Sequence, residues 1–155
     1  ALKLGVDEMA SFTPGKESYR ASADIVEAVQ KFTGGGADVA MEMAGYNSSV
    51  NNAIQSVRRG GDVVLFGLKG GRFTIQDFSR IIVRGITLHS VIGRRIFETW
   101  MIGTNLLEAK DNQVQDKIFN VILDKGQDTI VHIDDYDIKE FEKKILAHPK
   151  VIIQW

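Results

Sequence analysis

No cysteine occurs in these 155 residues, so neither a disulfide nor a thiolate zinc site can form within them. No apolar run approaches the roughly 20 residues that a membrane helix needs, and no signal-peptide pattern is present. Charge is balanced, 19 Lys and Arg against 20 Asp and Glu for a net charge of -1. Such a chain feels no general pull toward nucleic acid or an anionic membrane. His89, His132 and His148 are the three histidines, and they form neither HExxH nor HxH, so spacing lends no support to metal binding. A GxSxG elbow is missing, as is the alternating calcium-loop pattern around Asp134, Asp135 and Asp137; that acidic cluster reads as a helix cap. These absences leave the expectation of a cytoplasmic protein with no nucleic-acid or membrane partner.

Hydrophobic residues make up 44% and charged residues 25%, ordinary for a globular protein. A chain of this length fits one domain burying about 70% of its unfolded surface. Its organising stretch runs from Gly34 to Gly71. Asp38 to Met43 and Asp62 to Leu68 are short, nearly continuous apolar runs, each closed by glycine, which suits strands of a parallel sheet. Between them Val50, Ala53, Ile54 and Val57 recur at helical spacing. Asn47 or Ser48 can cap that helix, and Arg58-Arg59 before Gly60 suits its C-terminal end. Strand, helix, strand makes a βαβ unit with a right-handed crossover. The fold class expected is α/β, a Rossmann-like, doubly wound parallel sheet.

Around this unit further elements follow. Ala1 to Gly5 reads as a helix tail stopped by glycine, which points to a fragment of a longer protein. Met9 to Thr13 is a short strand candidate before the Pro14-Gly15 turn. Ser22 or Asp24 opens a helix with Ile25, Val26, Val29 and Phe32 inward. Gly34-Gly35-Gly36 invites a phosphate-loop reading, but it precedes a strand, whereas a phosphate loop follows one and opens a helix; it is read as a helix stop. Phe73 to Gly85 predicts a short strand and one helical turn, and Ile86 to Ile92 a third sheet strand. Arg95 to about Lys110 is helical, with Ile96, Phe97, Trp100, Met101 and Leu107 inward. Gln113 to Asp124 is another helix, Thr129 to Ile133 a strand, and Asp137 or Asp135 caps a last helix before the strand Val151 to Ile153. No repeat, linker or low-complexity segment interrupts the chain.

In open α/β sheets ligands bind outside the carboxyl ends of the strands. Here those ends are Glu42-Met43-Ala44-Gly45, Phe66-Gly67-Leu68 and Val91-Ile92-Gly93-Arg94. Their glycines let backbone approach a flat ligand, and Arg94 offers a planar fork to a phosphate or carboxylate. The plainer reading makes the glycines turns and Arg94-Arg95 a solvated helix start. A cation at a helix N-terminus opposes the dipole, which favours a ligand role for Arg94. His89 alternates within a strand and reads as a sheet-surface residue.

Three blocks carry a resemblance: GGGADVAMEMAG (34–45), RRGGDVVLFGLKGG (58–71) and GRRIFETW (93–100). In sequence and order they resemble the zinc-dependent medium-chain alcohol dehydrogenases, from the ALKLG start to the KVIIQW end. The first two blocks are general to that family; the third is similar to its L-threonine 3-dehydrogenase branch. The resemblance implies that residues 1–155 are the C-terminal portion of an NAD-binding domain. Their tail, about 111–155, would return toward a catalytic domain outside this sequence. It implies that Met43 and Ala44, closed by Gly45, lie on the adenosine side of NAD. Phe66, Gly67, Leu68, Val91 and Ile92 would border the nicotinamide, largely through backbone, and Arg94 would reach the ribose or pyrophosphate. Ile92 departs from the threonine often found there, and the stretch from Leu107 to Asp134 is longer than usual.

What the resemblance places before Ala1 matters equally: the GxGxxG turn, the ribose-binding acid, the catalytic zinc ligands and the proton relay. The expected sheet is therefore incomplete, without its first strands and glycine-rich turn. Oxidation of a secondary alcohol needs a Lewis acid or general base for the hydroxyl proton, so these residues alone are expected to be inactive. The parent reaction would convert L-threonine to 2-amino-3-oxobutanoate with NAD as hydride acceptor. Open strand edges are costly; the Met9–Thr13 strand is expected to pair with Asp38–Met43, or a second chain to cover that edge. The resemblance also implies a homodimer through Ile86 to Ile92. Two readings from other classes stay open, a stand-alone nucleotide-binding or regulatory module and a structural dimerisation domain. A Rossmann-like methyltransferase is disfavoured by the missing glycine-rich motif.

Overall fold

The computed structural model describes residues 1–11 and 19–155. The chain divides into two compact units, a central one of Glu8–Gly93 and a terminal one of Ala1–Asp7 with Arg94–Trp155.

The central unit is built on a three-stranded parallel sheet. Helix α1 (Ala23–Thr33) starts at Ser22 and ends at Gly34, whose left-handed backbone returns its N–H to Gln30. Strand β1 (Ala37–Glu42), helix α2 (Asn47–Ser56) and strand β2 (Val57–Leu65) form the expected βαβ unit. Helix α3 (Phe78–Arg84) and strand β3 (Thr87–Ser90) follow. Order in the sheet is β1-β2-β3, with Met41 opposite Val64 and Val64 opposite His89. Alternation places Ala40 and Glu42 inward under α2, while Val39 and Met41 face outward and are exposed. The core joins Val50, Ala53, Ile54 and Val57 to Val63 and Ile86, with Ile75, Ile81 and Leu88 packed around them.

Several expectations are corrected here. Arg58 and Arg59 do not end α2; the helix stops at Ser56 and both arginines open β2. They serve the strand instead, Arg58 pairing with Asp38 at 2.5 Å and Arg59 donating to the Val83 carbonyl at 3.1 Å. Residues 73–77 form no strand, because α2 side chains take their amides: Thr74 N–H donates to Asn47 Oδ1 and Gln76 N–H to Asn51 Oδ1. Helix α3 is two turns rather than one. Phe32, in the last turn of α1, is exposed. Of the Met9–Thr13 strand, Met9, Ala10 and Ser11 are irregular and exposed, and Phe12 and Thr13 lie outside the described residues. Among the described residues of this segment, Met9 to Ser11, no pairing with β1 is seen. Among the described residues β1 pairs with β2 alone, and β3 likewise.

The terminal unit contains helix α4 (Glu98–Glu108), the short helix α5 (Val114–Lys117) and a second, two-stranded parallel sheet. Its strands are β4 (Ile130–His132) and β5 (Ile152–Gln154), separated by helix α6 (Ile138–Ala147). Asp137 caps α6 as expected, accepting from the Lys139 and Glu140 amides at 3.0 Å. Leu2–Leu4 is a single tight turn stopped by Gly5. The helix expected over Gln113–Asp124 is broken. After α5 it widens into one π turn, Ile118–Ile122, where the Leu123 N–H bonds back to Ile118. Lys125 then takes a left-handed conformation. The apolar residues of α4 expected inward are outward instead, Phe97 at 70% and Met101 at 64% exposure. Within this unit α4 packs against the four-residue α5, which is too short to cover that stripe.

Candidate functional site

The carboxyl ends of β1, β2 and β3 open on one cleft of about 600 Å³. Met43, Phe66, Gly67, Leu68, Val91 and Ile92 line it, joined by Leu65, Ser90 and Gly93. Six of the nine residues picked out in the sequence are thus brought together. Ala44 and Gly45 lie directly behind the wall, where the β1 turn presses on the β2 turn. A Cβ added to Gly67 would overlap the Gly45 nitrogen and come within 2.7 Å of both the Ala44 nitrogen and Glu42 Oε2. One added to Gly45 would meet Leu68 backbone at 2.9 Å. Backbone is therefore the wall here, and only glycine permits the two turns to touch. The ninth residue, Arg94, begins the terminal unit, where its guanidinium lies 5.7 Å from the Trp100 ring centre.

The lining is apolar except for Ser90 and main-chain groups. Leu68 and Ile92 are each 86% exposed at the mouth, a costly placement for two aliphatic side chains unless something flat covers them. The ladder extends past the strands: Phe66 and Gly67 N–H both donate to the Glu42 carbonyl, and Val91 N–H to Leu65. Above the turns, the Lys69 ammonium sits 3.9 Å from the centre of the Tyr46 ring, a cation–π contact tying the loop after β2 to the loop after β1. His89 is on the sheet surface as expected, 2.7 Å from Asp62 across β2 and β3.

Sequence reasoning placed Glu42 at the end of a strand and gave it no role of its own. Its side chain is 3% exposed, and Oε1 accepts from Ala44 N–H, Gly45 N–H and the Ser49 hydroxyl at 2.8, 2.8 and 2.6 Å. The signal was present: one acid inside the apolar run Val39-Ala40-Met41-Glu42-Met43 must be buried and therefore partnered. For Tyr46 and Lys69 no such signal existed, since exposed residues in two loops carry no spacing rule.

Comparison with known proteins fixes the lineage. The profile described as zinc-binding dehydrogenase matches residues 1–109. The chain belongs to that family. Its curated relatives include the L-threonine 3-dehydrogenases of Francisella philomiragia, 34% identical over 121 residues, and of Francisella tularensis strain WY96-3418, 33% identical over the same length. Each alignment covers 77% of this chain and 31% of the relative, so the chain spans about a third of the curated relatives it matches. Among solved structures, 2R,3R-butanediol dehydrogenase from Bacillus subtilis superposes with a TM-score of 0.58 over 85% of this chain and 35% of that one, at 23% identity. This zinc-binding dehydrogenase fold is thus α/β and Rossmann-like, as the sequence pattern predicts.

The family implies a nicotinamide cofactor and zinc, and the residues fit the two differently. The glycine-walled cleft at the strand ends fits a flat ring approached by backbone. For zinc the described residues do not fit: no three His, Cys, Asp or Glu side chains converge. No helix among the described residues is long and apolar enough to cross a membrane.

Proposed function

We propose that the strand-end cleft is the nicotinamide-side surface of an NAD site, and that this chain is the cofactor-domain portion of a zinc-dependent L-threonine 3-dehydrogenase. The observation that carries the reading is the cleft itself, walled by Gly67 backbone that presses on Gly45 behind it and rimmed by exposed Leu68 and Ile92. The threonine dehydrogenase relatives support the choice of substrate. When bound, NAD accepts a hydride from the alcohol carbon. The part of this chain is to hold the ring: Phe66, Gly67 and Leu68 on one wall, Val91 and Ile92 on the other, with Met43, Ala44 and Gly45 toward the adenosine. Arg94 supplies a guanidinium for ribose or pyrophosphate oxygens. Zinc, the alcohol and the proton relay belong to a catalytic domain beyond these residues, toward which the tail of about 111–155 returns. A cytoplasmic homodimer joined through β3 completes the proposal.

Two assays test it. The purified chain mixed with L-threonine and NAD is expected to give no rise in NADH absorbance; turnover would refute the assignment of catalysis to another domain. Saturation-transfer NMR with NADH is expected to show signals at nicotinamide protons, and Leu68→Asp to weaken the affinity about tenfold, the equivalent of roughly 1.4 kcal/mol. The resemblance places the phosphate turn outside these residues, so the affinity of this portion alone is expected to be weak, and an affinity unchanged in Leu68→Asp would overturn the cleft assignment.

A further inference from the structure

We infer that Glu42 is a positioning residue for the cleft: one buried carboxylate fixes the β1 turn and, through the same residue's carbonyl, the β2 turn. This deepens the cofactor-site reading and rests on it for its functional meaning. Three donors converge on Oε1, and the main-chain oxygen takes the Phe66 and Gly67 amides at 2.9 and 3.0 Å. Five hydrogen bonds therefore pass through one residue, and four of their donors are amides of the two turns. Oε2 is buried and has no partner, and it faces the place where a Gly67 side chain would begin, 2.7 Å away. The bare oxygen fills the notch that glycine leaves, so Glu42 and Gly67 are matched in shape as well as bonding. A buried polar atom left unpaired costs stability; here it holds the two turns at backbone contact.

The test uses the whole chain and reads amide hydrogen exchange residue by residue by NMR, beside NADH saturation transfer. Glu42→Ala is expected to speed exchange at Ala44 and Gly45 at least about tenfold, the loss of roughly one net hydrogen bond, with Ile54 and Val63 unchanged. Glu42→Gln keeps an acceptor at Oε1 and is expected to restore that protection and most of the NADH signal. Gly67→Ala, which leaves Glu42 intact, is expected to speed exchange at Gly45 by driving the turns apart. Unchanged exchange at Ala44 and Gly45 in Glu42→Ala would overturn the inference. So would a rise spread evenly through the core that Gln does not rescue. Should Glu42→Ala fail to fold, Gly67→Ala decides: no change at Gly45 means the turns are not coupled. If the parent chain gives no NADH signal, the exchange data alone judge Glu42; if NADH binds and Leu68→Asp leaves its affinity unchanged, the cofactor reading fails while Glu42 stands.

Discussion

Asn51 is fully buried in the middle of α2, where its amide donates to the Tyr19 and Thr74 carbonyls and its oxygen accepts from Gln76 N–H. Replacing it with alanine strands three backbone groups where water reaches them poorly. Asn51→Ala is expected to cost about 1–3 kcal/mol, read from the urea midpoint. Gly67→Ala is expected to cost a similar amount, about 1–3 kcal/mol, by overpacking on top of its effect on the cleft. Gly67 stood out in the sequence as a strand-end glycine, whereas Asn51 and Glu42 were visible only in part. Asn51 lies off the Val50-Ala53-Ile54 stripe by its chemistry yet on it by its spacing, and nothing local names its partners 23 to 32 residues away. Glu42 was legible as a buried acid, but its partners required knowing that the chain turns back at Ala44 and Gly45.

At the scale of elements, the interiors of α1, β1, α2 and β2 followed periodicity, the helix expected over Gln113–Asp124 broke inside, and other elements were lost where side chains competed for backbone. The 73–77 segment has strand-like residues, yet Asn47 and Asn51 claim its amides before a strand can. Arg58 and Arg59 carry charge suited to a helix end, but Asp38 on the neighbouring strand offers Arg58 a direct partner. Capping was read correctly at Asp137, since cap and helix are adjacent in sequence. Asp137→Ala removes two bonds to the first turn of α6 and is expected to lower stability of that helix by about 1 kcal/mol, measured by exchange at Lys139 and Glu140. The apolar stripe of α4 was legible as amphipathic; its direction was not, because periodicity defines a face without saying what covers it.

For the whole molecule, the βαβ order, the parallel sheet and six of the nine cleft residues followed from the sequence, since strand ends in such a sheet converge wherever the strands are parallel. Among the described residues the outer edges of β1 and β3 are unpaired; for the first the sequence suggested the Met9–Thr13 strand or a second chain, for the second a dimer partner. Pairing through β3 predicts a dimer mass by light scattering at micromolar concentration; a monomer throughout would count against that edge as the interface. The division into two units has a consequence for how the chain is made. Residues 1–7 leave the ribosome before Glu8–Gly93, yet their companions in the terminal unit, 94–155, leave after it. The central unit can fold as soon as Gly93 emerges, whereas the opening turn at Leu2–Leu4 must wait, unclaimed, until synthesis of its own unit is finished.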